Sequence, residues 1–195
     1  MNKTIDYYNK NAKEFTESTQ NVDMSKTYAL FEKYLKPKAT ILDLGCGSGR
    51  DSKYFIEEGY NVVAIDGSKE LCDIASKYIG QQVINMYFNE LEYQDEFDGI
   101  WACSSLLHIA NKKISNIFKL LRNALKEEGI IYASFKYGEF EGERNGRYFS
   151  DFTEEKIDKI LKDVNGLKVI EKAITLDARK DRTEEKWLNV IIKKD

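Results

Sequence analysis

Thr40-Ile41-Leu42-Asp43-Leu44-Gly45-Cys46-Gly47-Ser48-Gly49-Arg50 is the stretch that decides the fold. An apolar run stops at an acid, three glycines follow at alternate positions, and a charged, helix-compatible stretch runs from Arg50 to Glu58. The order reads strand, tight turn, helix. Glycine serves where the backbone takes positive φ or approaches a ligand with no Cβ in the way, so the cluster implies a ligand lying close. The helix that follows turns its unpaired amide donors toward the same spot.

A second βα unit narrows the ligand. Asn61-Val62-Val63-Ala64-Ile65 is a β-branched run typical of a buried parallel strand, and it ends at Asp66, seventeen residues beyond Gly49. In a parallel sheet Asp66 then lies beside the glycine turn. A carboxylate there suits the two hydroxyls of a ribose, as in dinucleotide folds, where the acid lies about 20 residues on.

Glycine spacing separates two cofactors. Dinucleotide folds use G-x-G-x-x-G with a pyrophosphate on the helix N-terminus, whereas this chain has D-x-G-x-G-x-G with Asp43 ahead of the first glycine. A carboxylate at that point repels a pyrophosphate and favours a cationic group, such as the α-amino and sulfonium groups of S-adenosylmethionine.

With these residues in hand the sequence resembles the class I S-adenosylmethionine-dependent methyltransferases. Their motif I is similar to Asp43 to Gly49, and their ribose-binding acid to Asp66. The resemblance runs roughly from Ile41 to Lys193 and is nearest to short, stand-alone bacterial enzymes in the broad group of the tellurite-resistance and ubiquinone-biosynthesis methyltransferases. It is a similarity of pattern and not of substrate. It implies an α/β fold: a Rossmann-like seven-stranded sheet of order 3-2-1-4-5-7-6, the last strand antiparallel, with helices on both faces and an N-terminal helical preface. It also implies S-adenosylmethionine as cofactor and S-adenosylhomocysteine as product. The cofactor contacts it implies are Asp43, Gly45, Cys46, Gly47, Gly49 and Asp66, then Gly67, Ser68, Met86, Tyr87 and Phe88, and further on Cys103, Ser104 and Leu107.

Length and composition bound the rest. At 195 residues the chain is expected to be one domain, with a helical preface over 1–37 and a core over 38–195. Lys plus Arg number 30 and Asp plus Glu 33, net charge −3, interspersed along the chain, which is a poor footprint for gripping nucleic acid. The start, Met1-Asn2-Lys3-Thr4-Ile5-Asp6, has no signal-peptide core, and no run approaches the ~20 apolar residues of a membrane span. A cytoplasmic protein without membrane contact is expected. Cys46, Cys72 and Cys103 are odd in number and lack paired spacing, so neither disulfides nor a metal site is expected.

Residues 4–19 and about 23–35 show helical spacing ahead of Lys36-Pro37. In the resembled family such a preface folds over the cofactor, and Tyr7 or Tyr8 could reach its methionine end. Ser68 is a candidate N-cap for the helix through Leu71, Ile74, Ala75 and Tyr78. Beyond the strand Val83-Ile84-Asn85-Met86 the resembled enzymes often carry an acid that touches adenine. Here Tyr87 stands in its place, so stacking by Tyr87 or Phe88 and backbone amides are expected instead.

Strand Phe97 to Ala102 runs into Cys103-Ser104-Ser105-Leu106-Leu107-His108, which should line the pocket. An Asn/Asp-Pro-Pro-Tyr/Phe motif of base-directed methyltransferases is missing here. His108, the single histidine, is a candidate substrate-side base, with an unperturbed pKa of about 6.5. A helix over 112–126 and a strand over 130–135 follow. The charged stretch 141–149 reads as a loop from which Arg147 and Arg144, with Lys136, could hold an anionic group. A helix from Thr153 to Lys162, capped by Asp151 or Thr153, leads to a hairpin of 167–176 and 186–193 joined through Arg179, Asp181 and Arg182.

The expected function is therefore methyl transfer by direct displacement to a small molecule, for which Lys136 and Arg147 suggest an anionic group. The rivals are a protein or RNA acceptor, a nicotinamide-dependent oxidoreductase, and a nucleoside-binding protein without turnover.

Overall fold

The computed structural model describes residues 3–179, 182 and 184–195. Met1, Asn2 and Asp181 lie outside the described residues. Three short helices come first: α1 (Lys3–Lys10), α2 (Ala12–Thr19) and α3 (Ser25–Glu32). The helical stretch expected over 4–19 is thus two helices. They part at Asn11, whose φ of −112° leaves the helical range and whose side-chain amide donates to the Tyr7 carbonyl at 2.8 Å.

The alternating core then follows: β1 (Thr40–Leu44), α4 (Arg50–Glu57), β2 (Asn61–Asp66), α5 (Lys69–Ile79), β3 (Ile84–Asn85), β4 (Phe97–Ala102), α6 (Asn111–Ala124) and β5 (Leu125–Lys136). A hairpin of β6 (Glu141–Arg144) and β7 (Arg147–Ser150), then α7 (Glu154–Lys162), β8 (Leu167–Leu176) and β9 (Lys186–Lys194), finish it. The seven-stranded sheet runs β3-β2-β1-β4-β5-β9-β8. It is parallel from β3 to β5 and antiparallel at β5-β9 and β8-β9. With β6 and β7 standing apart, this is the expected order.

Alternate residues of the central strands face two layers. Leu42, Leu44, Ile100, Ala102, Ile131 and Ala133 pack with Ile114, Phe118 and Leu121 of α6 and Ile157 and Leu161 of α7. On the other face Ile41, Trp101, Tyr132 and Ile191 pack with Tyr28 and Phe31 of α3 and Phe55 of α4. Trp101 and Tyr132 stack there with ring centroids 4.1 Å apart.

The stretch 141–149 is a β-hairpin and not a loop. Asn145 (φ 50°) and Gly146 (φ 77°) take the left-handed pair of conformations that a two-residue hairpin turn requires. The Asn-Gly pair was the available signal, and the charges of Glu141, Glu143, Arg144 and Arg147 hid it. Strand β5 also starts earlier than expected, at Leu125, because Leu125 pairs with Phe97 before the register shifts at Gly99. Among the described residues no helix is long and apolar enough to cross a membrane.

Candidate active site

Strands β2 and β4 flank β1 on opposite sides, so the crevice of the sheet opens beyond Leu44. Gly45 (φ 79°) and Gly47 (φ 55°) make the turn there. A Cβ on Gly45 would come 2.7 Å from the Ser105 Cβ, so only glycine lets β1 and the end of β4 approach this closely. The Gly45 and Cys46 amides both donate to the Ile65 carbonyl, at 2.9 and 3.0 Å, tying the turn to β2.

Asp66 closes the arrangement. One carboxylate oxygen accepts from the Gly47 amide at 2.9 Å and the other from the Ser68 amide at 2.8 Å. Burial pushes its pKa up, and those two amides offset part of the rise. Each oxygen keeps a lone pair, so an oriented carboxylate still has room to accept from a diol.

The other acids separate into two roles. Asp43 is buried beneath the turn, accepts from the Ser52 hydroxyl at 2.6 Å, and does not line the cavity. Burial, with the charge of Asp51 added, raises its pKa. Asp51 does line the cavity. It pairs with Arg50 (Nε 2.6 Å, Nη2 2.9 Å) and accepts from the Tyr28 hydroxyl at 2.6 Å and Trp101 Nε1 at 2.8 Å. Burial opposes its charged form, but Arg50 and these hydrogen bonds outweigh that and hold its pKa low.

One cavity of about 1420 Å³ begins at this turn. On its cofactor side the expected Gly45, Cys46, Gly47, Asp66 and Gly67 are present, with Met86, Tyr87 and Phe88 from the segment after β3. Cys103, Ser104 and Leu107 also line it. Gly49 and Ser68 do not. Gly49 instead lets α4 sit on α5, where an added Cβ would lie 3.0 Å from Ile79. Ser68 caps α5 by accepting from the Leu71 amide, and its hydroxyl donates to Asn9 of α1 at 2.7 Å. The three cysteines are free thiols. The Cys103 thiol is pushed up to about 12, first by burial and then by the Asp51 charge, so it stays protonated.

Ser105 belongs to the segment expected to line the pocket but is not among the contacts singled out from sequence. It is 6% exposed, lines the cavity against Gly45, and its hydroxyl oxygen has no protein partner. A buried polar atom without a partner costs about 1–3 kcal/mol, and a polar ligand in the cradle relieves it. The glycine turn, the oriented Asp66 and this orphan hydroxyl together fit a nucleoside carrying a polar tail.

At the far side α1 and β7 meet over the cavity. The Thr4 hydroxyl accepts from the Tyr148 amide at 2.9 Å and Lys3 pairs with Glu143 at 2.8 Å. Here Tyr8, His108 and Arg147 come together: His108 Nε2 lies 2.9 Å from the Tyr8 hydroxyl, and Arg147 Nη1 donates to that hydroxyl at 3.3 Å. The Arg147 guanidinium lies over Tyr7 (4.6 Å) and Phe149 (5.1 Å). Lys136 lines the same cavity but is paired with Glu185. Arg144 faces a second cavity of about 310 Å³ and pairs with Asp151 at 2.8 Å.

His108 is held neutral. Burial lowers its pKa from 6.5 to about 4; the hydrogen bond to the Tyr148 carbonyl opposes this fall and the Arg147 charge adds to it. The unfolded chain therefore binds this proton first, so stability should drop as pH falls from about 6.5 toward 4. NMR titration of this single imidazole should give a midpoint near 4, and a midpoint near 6.5 would show that the ring is solvated.

Comparison with known proteins agrees with this geometry. Residues 41–129 match the model of the family described as a methyltransferase domain. The Bacillus subtilis (strain 168) protein named "Putative methyltransferase YqeM" is 33% identical over 119 residues, 55% of this chain and 48% of the relative. A ubiquinone biosynthesis O-methyltransferase of Actinobacillus pleuropneumoniae serotype 7 (strain AP76) is 25% identical over 118 residues, 52% of this chain and 50% of the relative. The chain spans about half the length of these curated relatives. Among solved structures, the 1,6-didemethyltoxoflavin-N1-methyltransferase of Burkholderia thailandensis, with 1,6-didemethyltoxoflavin and S-adenosylhomocysteine bound, superposes with a TM-score of 0.77 at 21% identity. That match covers 97% of this chain and 84% of the other.

The sheet order and the glycine turn define a Rossmann-like methyltransferase fold. Residues 41–129 carry the match to the methyltransferase domain, and over nearly its whole length the chain shares the fold of the Burkholderia enzyme.

Proposed function

We propose that the protein binds S-adenosylmethionine at the glycine turn and transfers its methyl group to a small molecule bearing an anionic group. The observation that carries this reading is one continuous cavity from Asp66 to Arg147. Arg147 Nε is buried without a hydrogen-bond partner, and among the described residues no carboxylate pairs with this guanidinium. A carboxylate or similar oxyanion on the acceptor would fill that edge with two parallel hydrogen bonds.

Asp66 would accept from the ribose hydroxyls, and Tyr87 or Phe88 would cover the adenine. When bound, the cofactor supplies a methyl group activated by a positive sulfur. The chain's remaining task is to hold the acceptor in line and keep water out. Tyr7, Tyr8 and Phe149 wall the acceptor end, and the α1–β7 contacts close it.

Calorimetry tests both halves. S-adenosylhomocysteine should bind the native chain, and benzoate should bind the S-adenosylhomocysteine complex more tightly than benzamide. Arg147→Gln should erase the preference for benzoate, by roughly tenfold or more given about 1.5–3 kcal/mol for a charge-assisted contact. Absence of S-adenosylhomocysteine binding would end the assignment, and equal binding of benzoate and benzamide would end the anionic part. Labelled methyl groups recovered in protein or RNA and not in small molecules would replace the acceptor class.

A further inference from the structure

We propose that the acceptor's reacting atom is a hydroxyl or amine that donates a hydrogen bond to the Tyr8 oxygen, and that Tyr8 hands a proton on to His108. The inference rests on the methyl-transfer reading above and adds the chemical class of the nucleophile.

Hydrogen-bond polarity carries it. His108 Nδ1 lies 2.6 Å from the Tyr148 carbonyl oxygen, which has no hydrogen to give, so Nδ1 must be the donor. In a neutral imidazole Nε2 then holds a bare lone pair. The Tyr8 hydroxyl, 2.9 Å away, is the donor in that bond. Its single proton is therefore committed, and Arg147 Nη1 donates to the same oxygen at 3.3 Å. A hydroxyl accepts through two lone pairs, so what Tyr8 has left to offer the cavity is one acceptor site. A hydroxyl or amine matches it, and a thioether or carbonyl does not.

Position agrees. The Tyr8 ring meets Phe15 edge-on at 5.1 Å, and Phe15 lies against Gly47, where an added Cβ would be 3.1 Å away. Tyr8 thus stands one ring from the glycine turn and one hydrogen bond from His108. The tautomer is locked from outside the pair, because the Tyr148 amide is itself held by Thr4 at 2.9 Å.

The balance closes without another reagent. The acceptor's oxygen or nitrogen forms a bond to the methyl carbon, and the carbon–sulfur bond breaks with its electrons left on sulfur. The acceptor's proton passes to the Tyr8 oxygen as the Tyr8 proton passes to His108 Nε2. The imidazolium releases that proton to solvent after product leaves. An anion seated on Arg147 offsets the positive charge that otherwise opposes the imidazolium. Tyr8 is on this account a catalytic residue, and His108 acts through it as a positioning residue and proton acceptor.

His108 is the one histidine of the sequence, so nitrogen-15 NMR of tag-free protein saturated with S-adenosylhomocysteine reads it without assignment ambiguity. The expected spectrum has a protonated Nδ1 and a bare, hydrogen-bonded Nε2 at neutral pH. Tyr8→Phe should move the Nε2 resonance toward that of a free imine-type nitrogen and leave Nδ1 in place. A proton on Nε2, or an Nε2 signal unmoved by Tyr8→Phe, would overturn the relay. A second arm needs no variant: 4-hydroxybenzoate should perturb the Nε2 signal of the native complex and 4-methoxybenzoate should not. Equal effects, or none from either probe, would sink the nucleophile class. Failure of S-adenosylhomocysteine to bind, with the Nε2 signals as expected, would instead remove the methyl-transfer reading.

Discussion

An Asp66→Ala variant is expected to bind S-adenosylhomocysteine about 10²- to 10⁴-fold more weakly than the native chain, the sum of two hydrogen bonds to a charged acceptor at about 1.5–3 kcal/mol each. The side chain is 8% exposed and fixed by the Gly47 and Ser68 amides, so it needs no reorganisation to receive a diol. Alanine also leaves those two amides without their acceptor, which loosens the turn that carries the donor. Asp66→Asn should fall between, because its one carbonyl oxygen can replace only part of the acceptor set. Since burial raises the Asp66 pKa, affinity should fall at higher pH than for an exposed aspartate as the carboxylate takes up its proton. Calorimetry across a pH series reads all of this, and an Asp66→Ala affinity equal to native would take the residue out of the site.

Asp51→Leu is expected to lower the thermal midpoint by roughly 10 °C. Removing one member of a buried ion pair costs about 3–5 kcal/mol, and for a chain of this size each kcal/mol moves the midpoint by about 2–4 °C. The Arg50 and Asp51 side chains are 18% and 9% exposed, so the orphaned guanidinium would stay largely out of water. The loss also releases Tyr28 of α3 and Trp101 of β4, both of which donate to this carboxylate. Asp51 thus ties α3, α4 and β4 together. The double variant Arg50→Met, Asp51→Leu should recover part of the loss, because no charge is then left alone. Thermal unfolding followed by circular dichroism decides it. A single variant within two degrees of native would show that water reaches Arg50 freely.

How far the sequence could be read depends on which residues are local in it. The Asp43 to Gly49 run and Asp66 were legible because glycine placement and strand ends are written in a few neighbouring positions, and the sheet order came from the family resemblance that those residues carry. The direction of the Asp43 side chain was not, because Ser52 on the next helix decides it. Lys136 and Arg147 looked equivalent as cations until Glu185, 49 residues beyond Lys136, proved to be paired with the first. The place of Ser105 on the pocket wall was legible from the end of β4, but its unpartnered hydroxyl was not, since that is a property of packing alone. The meeting of Tyr8 with His108, 100 positions apart, likewise exists only in the fold.

The place of β9 between β5 and β8 bears on biosynthesis. A ribosome delivers the chain in order, so β8 emerges with its partner still unmade and β5 waits with one edge open. The nascent sheet cannot close until translation has passed residue 194. Holding chaperones therefore have a window in which to act, and a stop codon anywhere in the stretch joining β8 to β9 would leave two bare edges instead of a trimmed rim.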